Sequence, residues 1–414
     1  MPTGGFARNR RKRSSQPCSV AGYFCWYIRL VQTRGDGMMF SEIHYVPILK
    51  AKQAELLAVK DSGPATKNHM TPLFEMVPVP WDFENEQPSD TTENHLAKGA
   101  KSIRSCWNEE RPVFIDMKWI EEEEGEDGTP AVELAFAKLQ EHEVPFVPVL
   151  SLANGSMYRN AVRDVVKKCG QGLCLRLRVR DTIRKNLKAN LEVLLKKMGV
   201  APSETDVIFD LGAIQPGNLQ TLASTTVARI NNLPYLEEWR TLTLASGAFP
   251  PDLSSVKPKS SGTRKRADWL LWRLVRDDAK LSRRPAFADY AIEHPDLRPE
   301  VEPWTYKNAP KLRYTLEQEW LLIKGSLPKI DKTSPTAKSD RYADFRNICQ
   351  QVVSRPDFKG AQFSWGDNYI QACANGKGST GNPPTWRRIG FSHHLAYVAD
   401  QLSSFSSTSS GNAP

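Results

Sequence analysis

Between residues 173 and 180 the chain alternates apolar and basic side chains, Leu175, Leu177 and Val179 with Arg176, Arg178 and Arg180. In an extended strand such alternation puts the two sets on opposite faces. If helices cover the apolar set, the arginines must face the other way, and a lone buried guanidinium is very costly. Carboxylates must therefore stand opposite. The sequence offers Glu75, Asp116, Asp210 and Asp289, each near the end of a β-type run, and Lys50 and Lys118 close two runs in the same way. Arginine forks grip carboxylates and phosphates bidentately, so Arg176 and Arg178 point to an anionic or phosphorylated ligand. The acids could hold a hard divalent cation through oxygen ligands, or work as general acid and base. The same residues can also be read as a closed ion-pair network without a ligand.

For these side chains to converge, their runs must lie side by side. From residue 44 the chain repeats short β-type runs, at 44–50, 70–79, 112–120, 144–152, 172–180, 206–214, 239–246 and 285–292. Segments such as 131–142, 157–168, 183–198 and 266–278 lie between them, with apolar residues at the i, i+3, i+4, i+7 spacing of an amphipathic helix. Eight strands, each followed by a helix or long loop, predict an α/β fold, a (β/α)8 TIM-like barrel over residues 39–300; a doubly wound open sheet is the alternative. Barrel sites are built at the C-terminal ends of the strands, where these charges fall. Residues 301–402 predict an α-rich C-terminal extension covering the barrel mouth. Charged or Pro/Gly-rich stretches at 121–129, 250–263 and 327–340 predict exposed loops, and residues 403–414 a disordered tail.

Composition narrows the partners. The 414 residues carry a formal charge of +9, but seven of the 56 Lys and Arg and only one of the 47 acids lie in residues 1–37. The remainder stands at +3, which argues against nucleic acid as a partner of the body. The leader, residues 1–38, holds RNRRKR and a short apolar run. Two cysteines, Tyr and Trp in that run and the missing cleavage site argue against a signal peptide. With the patterned chain beginning after Met39, the leader reads as a disordered upstream extension rather than a basic arm. Seven cysteines without a CxxC pair indicate neither a zinc ribbon nor a disulfide framework, and a reducing cytoplasm is the expected compartment. No 18-residue apolar stretch calls for a membrane. Dinucleotide, P-loop, zincin and serine-hydrolase motifs are all missing.

Several motifs resemble, in order, the beta-protein family of bacteria and T-even-type phages. They are YVPILKAKQAELLAV followed by TPLFEMVPV, then FIDMKW, ADYAIEHP, KLRYT with WLLIKG, FSWGDNYI and WRRIGFSHHLAYV. The resemblance covers about residues 43–400. It implies a phage- or mobile-element-associated protein, anti-phage defence as a context, and partners among the products of a neighbouring defence or phage gene cluster. It supplies no reaction. The matching motifs contain Lys50, Glu75, Asp116, Lys118, Asp289, Tyr290, Arg313, Lys324, Asp367, Arg387, His393 and His394.

Functions of different class follow. As a metal-dependent hydrolase or phosphodiesterase-like enzyme, the barrel would hold its anion with Lys50, Arg176, Arg178 and Tyr290. Glu75, Asp116, Lys118, Asp210 or Asp289 would bind metal or move protons. Arg313, Lys324, Asp367, Arg387 and His394 would fold over the mouth and exclude water. One of His393 and His394, with His394 the catalytic candidate, could be an acid/base group or a metal ligand, but adjacent residues do not share a helix face, so a core or capping role competes for either. As a sensor or adaptor, the protein would keep the same pocket without turnover. Nucleic-acid binding rests only on the leader, Arg264–Arg266 and two tryptophans, Trp269 and Trp272, which suit a buried helix face better than base stacking. A chain starting at Met39 is expected to bind DNA or RNA weakly and to lose that binding by moderate salt, because salt weakens every phosphate contact. Fluorescence polarisation at two salt concentrations checks this, and tight, sequence-selective binding overturns it.

Overall fold

The computed structural model describes residues 40–298, 309–326 and 344–409, besides Met1. Eight parallel strands close into a barrel: β1 (Tyr45–Lys50), β2 (Leu73–Glu75), β3 (Val113–Asp116), β4 (Phe146–Leu150), β5 (Leu173–Arg178), β6 (Thr205–Ala213), β7 (Thr241–Gly247) and β9 (Ala286–Asp289). Each falls on an expected β-type run, and β9 pairs with both β7 and β1 to close the ring. Around them lie α1 (Gln53–Asp61), α2 (Pro64–Asn68), α3 (Thr92–Cys106), α4 (Ala131–Glu141), α5 (Ser156–Cys169), α6 (Val179–Thr182), α7 (Leu187–Met198), α8 (Leu219–Asn231) and α9 (Ala267–Arg276). Gly170 and Gly199, at φ +63° and +74°, end α5 and α7 in the left-handed conformation that lets the chain turn back to the next strand.

Strand alternation sorts the side chains. Leu175, Leu177, Val207, Phe209, Leu242 and Leu244 pack outward in the main core with the helices. Val46, Ile48, Leu73, Phe114, Val147, Val149, Cys174, Ile208, Ala245 and Ala288 form a second apolar cluster, which fills the lumen. Below its mouth the barrel is therefore packed solid. The basic alternation of β5 ends sooner than expected: Val179 and Arg180 belong to α6, so only Arg176 and Arg178 are strand arginines.

The extension contains β10 (Lys311–Thr315), β11 (Glu319–Lys324), α10 (Asp344–Val353), α11 (Trp365–Ala374) and α12 (Pro383–Ser409). It is less purely helical than expected. The stretch 250–263, read as an exposed loop, leads into β8 (Ser260–Lys265), which pairs antiparallel with β11 to make a three-stranded sheet in the order β8, β11, β10. Leu312, Tyr314, Leu321 and Ile323 of that sheet share a separate core with Phe345, Ile348, Ile370, Trp386 and Ile389. The last helix runs through Ser409, beyond the expected start of the tail at 403. The expected leader (apart from Met1), the 327–340 loop and the last five residues lie outside the described residues. Among the described residues no helix is long and apolar enough to cross a membrane.

Gly366 sets how closely α11 and α12 approach, because a Cβ there would run into the backbone carbonyl of Ile389. Overpacking of this kind costs about 1–3 kcal/mol. Gly366→Ala is expected to lower the unfolding free energy by that amount in a denaturant titration, and an unchanged midpoint would show that the two helices can part freely.

Candidate functional site

Arg176 stands at the top of the apolar lumen and is 2% exposed. Strand register gathers its partners. Lys50, Glu75 and Asp116 lie in one row across β1, β2 and β3, and Arg178 is paired with Asp210 across β5 and β6. Nη1 of Arg176 donates to Glu75 Oε1 at 2.8 Å and to Asp116 Oδ2 at 2.6 Å. Nε donates to Asp210 Oδ2 at 2.8 Å, and Nη2 to the Tyr290 hydroxyl at 2.6 Å. That hydroxyl donates onward to Asp210 Oδ2 at 2.6 Å. The remaining oxygens are also engaged: Asp210 Oδ1 by the Gly212 N–H, Asp116 Oδ1 by the Lys118 N–H, and Glu75 Oε2 by the Trp119 indole.

More cations ring this buried centre. Lys118 Nζ lies 2.5 Å from Glu75 Oε1 and Arg178 Nη1 lies 3.0 Å from Asp210 Oδ2, with side chains 19% and 31% exposed. Lys50 donates to the His294 carbonyl at 2.9 Å. Burial alone would raise the Glu75 carboxyl, but Lys118 and then Arg176 override it and hold it at about 2. Arg176 and Arg178 likewise hold Asp210 down against its burial. Burial pushes the Tyr290 hydroxyl well up, so it stays protonated and can donate.

These facts bear on the acid–base expectation for Glu75 and Asp210. Both are ionised and fastened to a guanidinium, so neither has a proton to give near neutral pH. The same fastening takes the oxygens that a divalent cation would need. Among the described residues no group of three His, Cys, Asp or Glu side chains is arranged to hold a metal ion.

Three expected mouth residues lie elsewhere. Asp289 and Tyr290 are adjacent, so only one can face the lumen. It is Tyr290. Asp289 shares the outer face with Phe287, where its carboxylate accepts from the Tyr45 hydroxyl at 2.7 Å and meets His394 Nε2 at 2.9 Å. Because a carboxylate cannot donate, Nε2 of His394 carries the proton, and Nδ1 accepts from Thr315 Oγ1 at 2.8 Å. Asp367, buried at the start of α11, takes hydrogen bonds from Tyr314 and Ser364 and pairs with His393 Nδ1 at 2.9 Å. Asp289, His394 and Asp367 are all fully buried behind the barrel wall, not at its mouth. Lys324 is also displaced; it lines a small cavity of about 300 Å³ with Asp344 and Gln351.

Arg313 and Arg387 do reach the rim, at a second charge group that sequence reasoning missed. Glu293, in the loop after β9, has Arg313 and Arg387 at 3.9 and 3.7 Å from Oε1 and Arg298 at 3.7 Å from Oε2. Lys50 at the end of β1, Lys52 in the loop after it, and Glu55 of α1 complete the group electrostatically. Lys52 and Arg298 also line a cavity of about 720 Å³ bordered by Trp119. The only signal for these residues was their position just past strand ends, in KAK, DMKW and AIEHPDLR.

Fold and site together define a (β/α)8 barrel with its charged residues gathered at the C-terminal ends of the strands. The chain belongs to the Beta protein family, whose model matches residues 45–400. No curated protein matches it.

In the parent protein, Glu75 has a folded pKa below its ordinary 4.5, so its pairing stabilises above that value and is lost as pH falls toward about 2. Arg176→Ala removes the guanidinium shared by three buried carboxylates. Among the described residues it leaves Asp116 without an ion-pair partner and Glu75 and Asp210 paired only with Lys118 and Arg178, and it is expected to cost roughly 3–5 kcal/mol at pH 7.5. With the guanidinium gone, burial pushes the Glu75 and Asp210 carboxyls up, so the deficit relative to the parent should shrink by pH 5. Denaturant unfolding of both proteins at the two pH values checks this; an equal deficit at both would show that the carboxylates are not what Arg176 neutralises.

Proposed function

We propose that this protein binds a phosphorylated or otherwise anionic ligand at the mouth of its barrel, as a sensor or adaptor that retains the ligand. One observation carries the reading. Among the described residues, eight cations (Lys50, Lys52, Lys118, Arg176, Arg178, Arg298, Arg313 and Arg387) gather with five acids (Glu55, Glu75, Asp116, Asp210 and Glu293), Asp252 lying near Arg298 besides, and Arg176 alone engages three of the five. The surplus falls on rim side chains that are partly exposed, and such a surplus concentrates anions. The buried network acts as the foundation that fixes the rim. The hydrolase alternative asks Glu75 and Asp210 to move protons, which their fixed ionisation disfavours. A role in phage defence, with partners from a neighbouring gene cluster, rests on the family resemblance.

Native mass spectrometry of the protein purified from its host reads which small anion travels with it. With inorganic tripolyphosphate as probe, the parent should gain stability as RT ln(1 + [L]/Kd). Arg178→Ala should weaken that binding about ten-fold. Its own stability should fall by about 1 kcal/mol or less, because Asp210 keeps Arg176 and the lost arginine is partly hydrated. A parent that ignores the probe, or an Arg178→Ala protein that loses several kcal/mol but binds as before, overturns the reading.

A further inference from the structure

Lys52 and Arg298 belong to two features at once. They line the 720 Å³ cavity, whose other walls include Trp119, Pro78, Pro80 and Leu297. They also belong to the cations around Glu293, where no charged pair is closer than 3.7 Å. Separations of this length are ion pairs without hydrogen bonds. Among the described residues, Glu293 Oε1, Arg313 Nε, and Nε and Nη2 of Arg298 are buried with no hydrogen-bond partner. Arg313 is 6% exposed, and a buried guanidinium left incomplete is costly unless something else completes it. Among the described residues, Lys52, Arg298, Arg313 and Arg387 stand around Glu293 and Glu55, with Lys50 shared with Glu75 and Arg298 also near Asp252. Burial and then Glu293 push the Glu55 carboxyl up to about 7, so even that negative charge is partly missing near neutral pH.

The cavity is of the size that encloses small molecules, roughly 300–1,000 Å³. A lone phosphate would leave its apolar, flat-sided wall unused, and a purely apolar ligand would leave the cations unsatisfied. A planar base joined to several phosphates uses both. Lys118 adds a cation beside the aromatic wall, 4.3 Å from the centre of the Trp119 ring. We infer that the ligand is a nucleoside polyphosphate, with its base in the cavity against Trp119 and its phosphates on the cations around Glu293. This deepens the anion-binding reading and rests on it.

Calorimetric titration of the full chain with ATP, UTP, tripolyphosphate and adenosine tests the inference. Both nucleotides should bind at least about ten-fold more tightly than tripolyphosphate, and adenosine far more weakly than either. Arg387→Ala should weaken the nucleotides and tripolyphosphate alike. Trp119→Leu should erase the nucleotides' advantage and leave tripolyphosphate binding in place. Since Trp119 also holds Glu75, Val79→Trp, which fills the cavity from a partly exposed wall position, should do the same without touching the network. Equal affinity for nucleotides and tripolyphosphate overturns the base pocket while the anion site stands. Failure of every phosphate probe overturns both readings.

Discussion

A guanidinium carried into the lumen of a closed barrel must bring its counter-charges with it, and much of this molecule follows from that one requirement. Arg176 draws a carboxylate from each of β2, β3 and β6 and a hydroxyl from the residue after β9, so strands on opposite sides of the ring meet on one side chain. Three acids around one arginine would leave excess negative charge. Lys118 and Arg178 restore the balance from the rim. Such a network adds little net stability, since its desolvation offsets most of its attraction. What it fixes is geometry: Lys118 and Arg178 are each tethered to an acid that Arg176 already holds.

The extension is joined to the barrel by a second, independent use of the same chemistry. Of the adjacent histidines of α12, His394 bridges Asp289 on the outer wall of the barrel and the Thr315 hydroxyl of β10. His393 bridges Asp367 of α11 and the Thr315 carbonyl, and its ring stacks on Tyr314 at 3.8 Å. Both rings are buried because the helix passes between barrel and small sheet. Arg387 precedes His394 by seven residues, two turns along the same face. The contact that seats α12 against β9 thereby also sets the distance of Arg387 from Glu293. Asp289 is thus a positioning residue for the rim, reached from behind the wall.

The barrel was legible in the sequence because its signal is local: eight β-type runs separated by helical periodicities need no knowledge of what they touch. The Arg176 cluster was legible for a related reason, since the alternation in LCLRLR leaves the arginines one face and burial then demands acids. Asp289 misled because FAD ends a four-residue strand, too short to display its alternation, although its adjacency to Tyr290 already ruled out that both face inward. Asp367 and His394 were placed by the expectation of a lid, whereas the His393–Asp367 and His394–Asp289 pairs join residues 26 and 105 apart and follow only from the packing of α12. The edge strand β8, reading SSGTRK, shows no apolar alternation. Its partner β11 lies more than fifty residues on, so nothing local marks it.

The separation between acids fastened to Arg176 and cations paired only loosely around Glu293 bears on what this barrel can do. Proton transfer near neutral pH needs a group whose proton can come and go there. Glu75 and Asp210, the residues best placed by fold analogy, are held well below that range by the arginine they neutralise. The carboxyl pushed up to about 7 beside the rim belongs to Glu55, on α1, next to Glu293 and Lys52 and outside the hydrogen bonds of Arg176. An anion brought among those cations would meet a carboxyl already half-inclined to keep its proton, and a second negative charge nearby would incline it further. On the proposed anion-binding reading, a proton kept by Glu55 would lower the site's own negative charge as a polyanion enters, and would ask nothing of the acids at the barrel's centre.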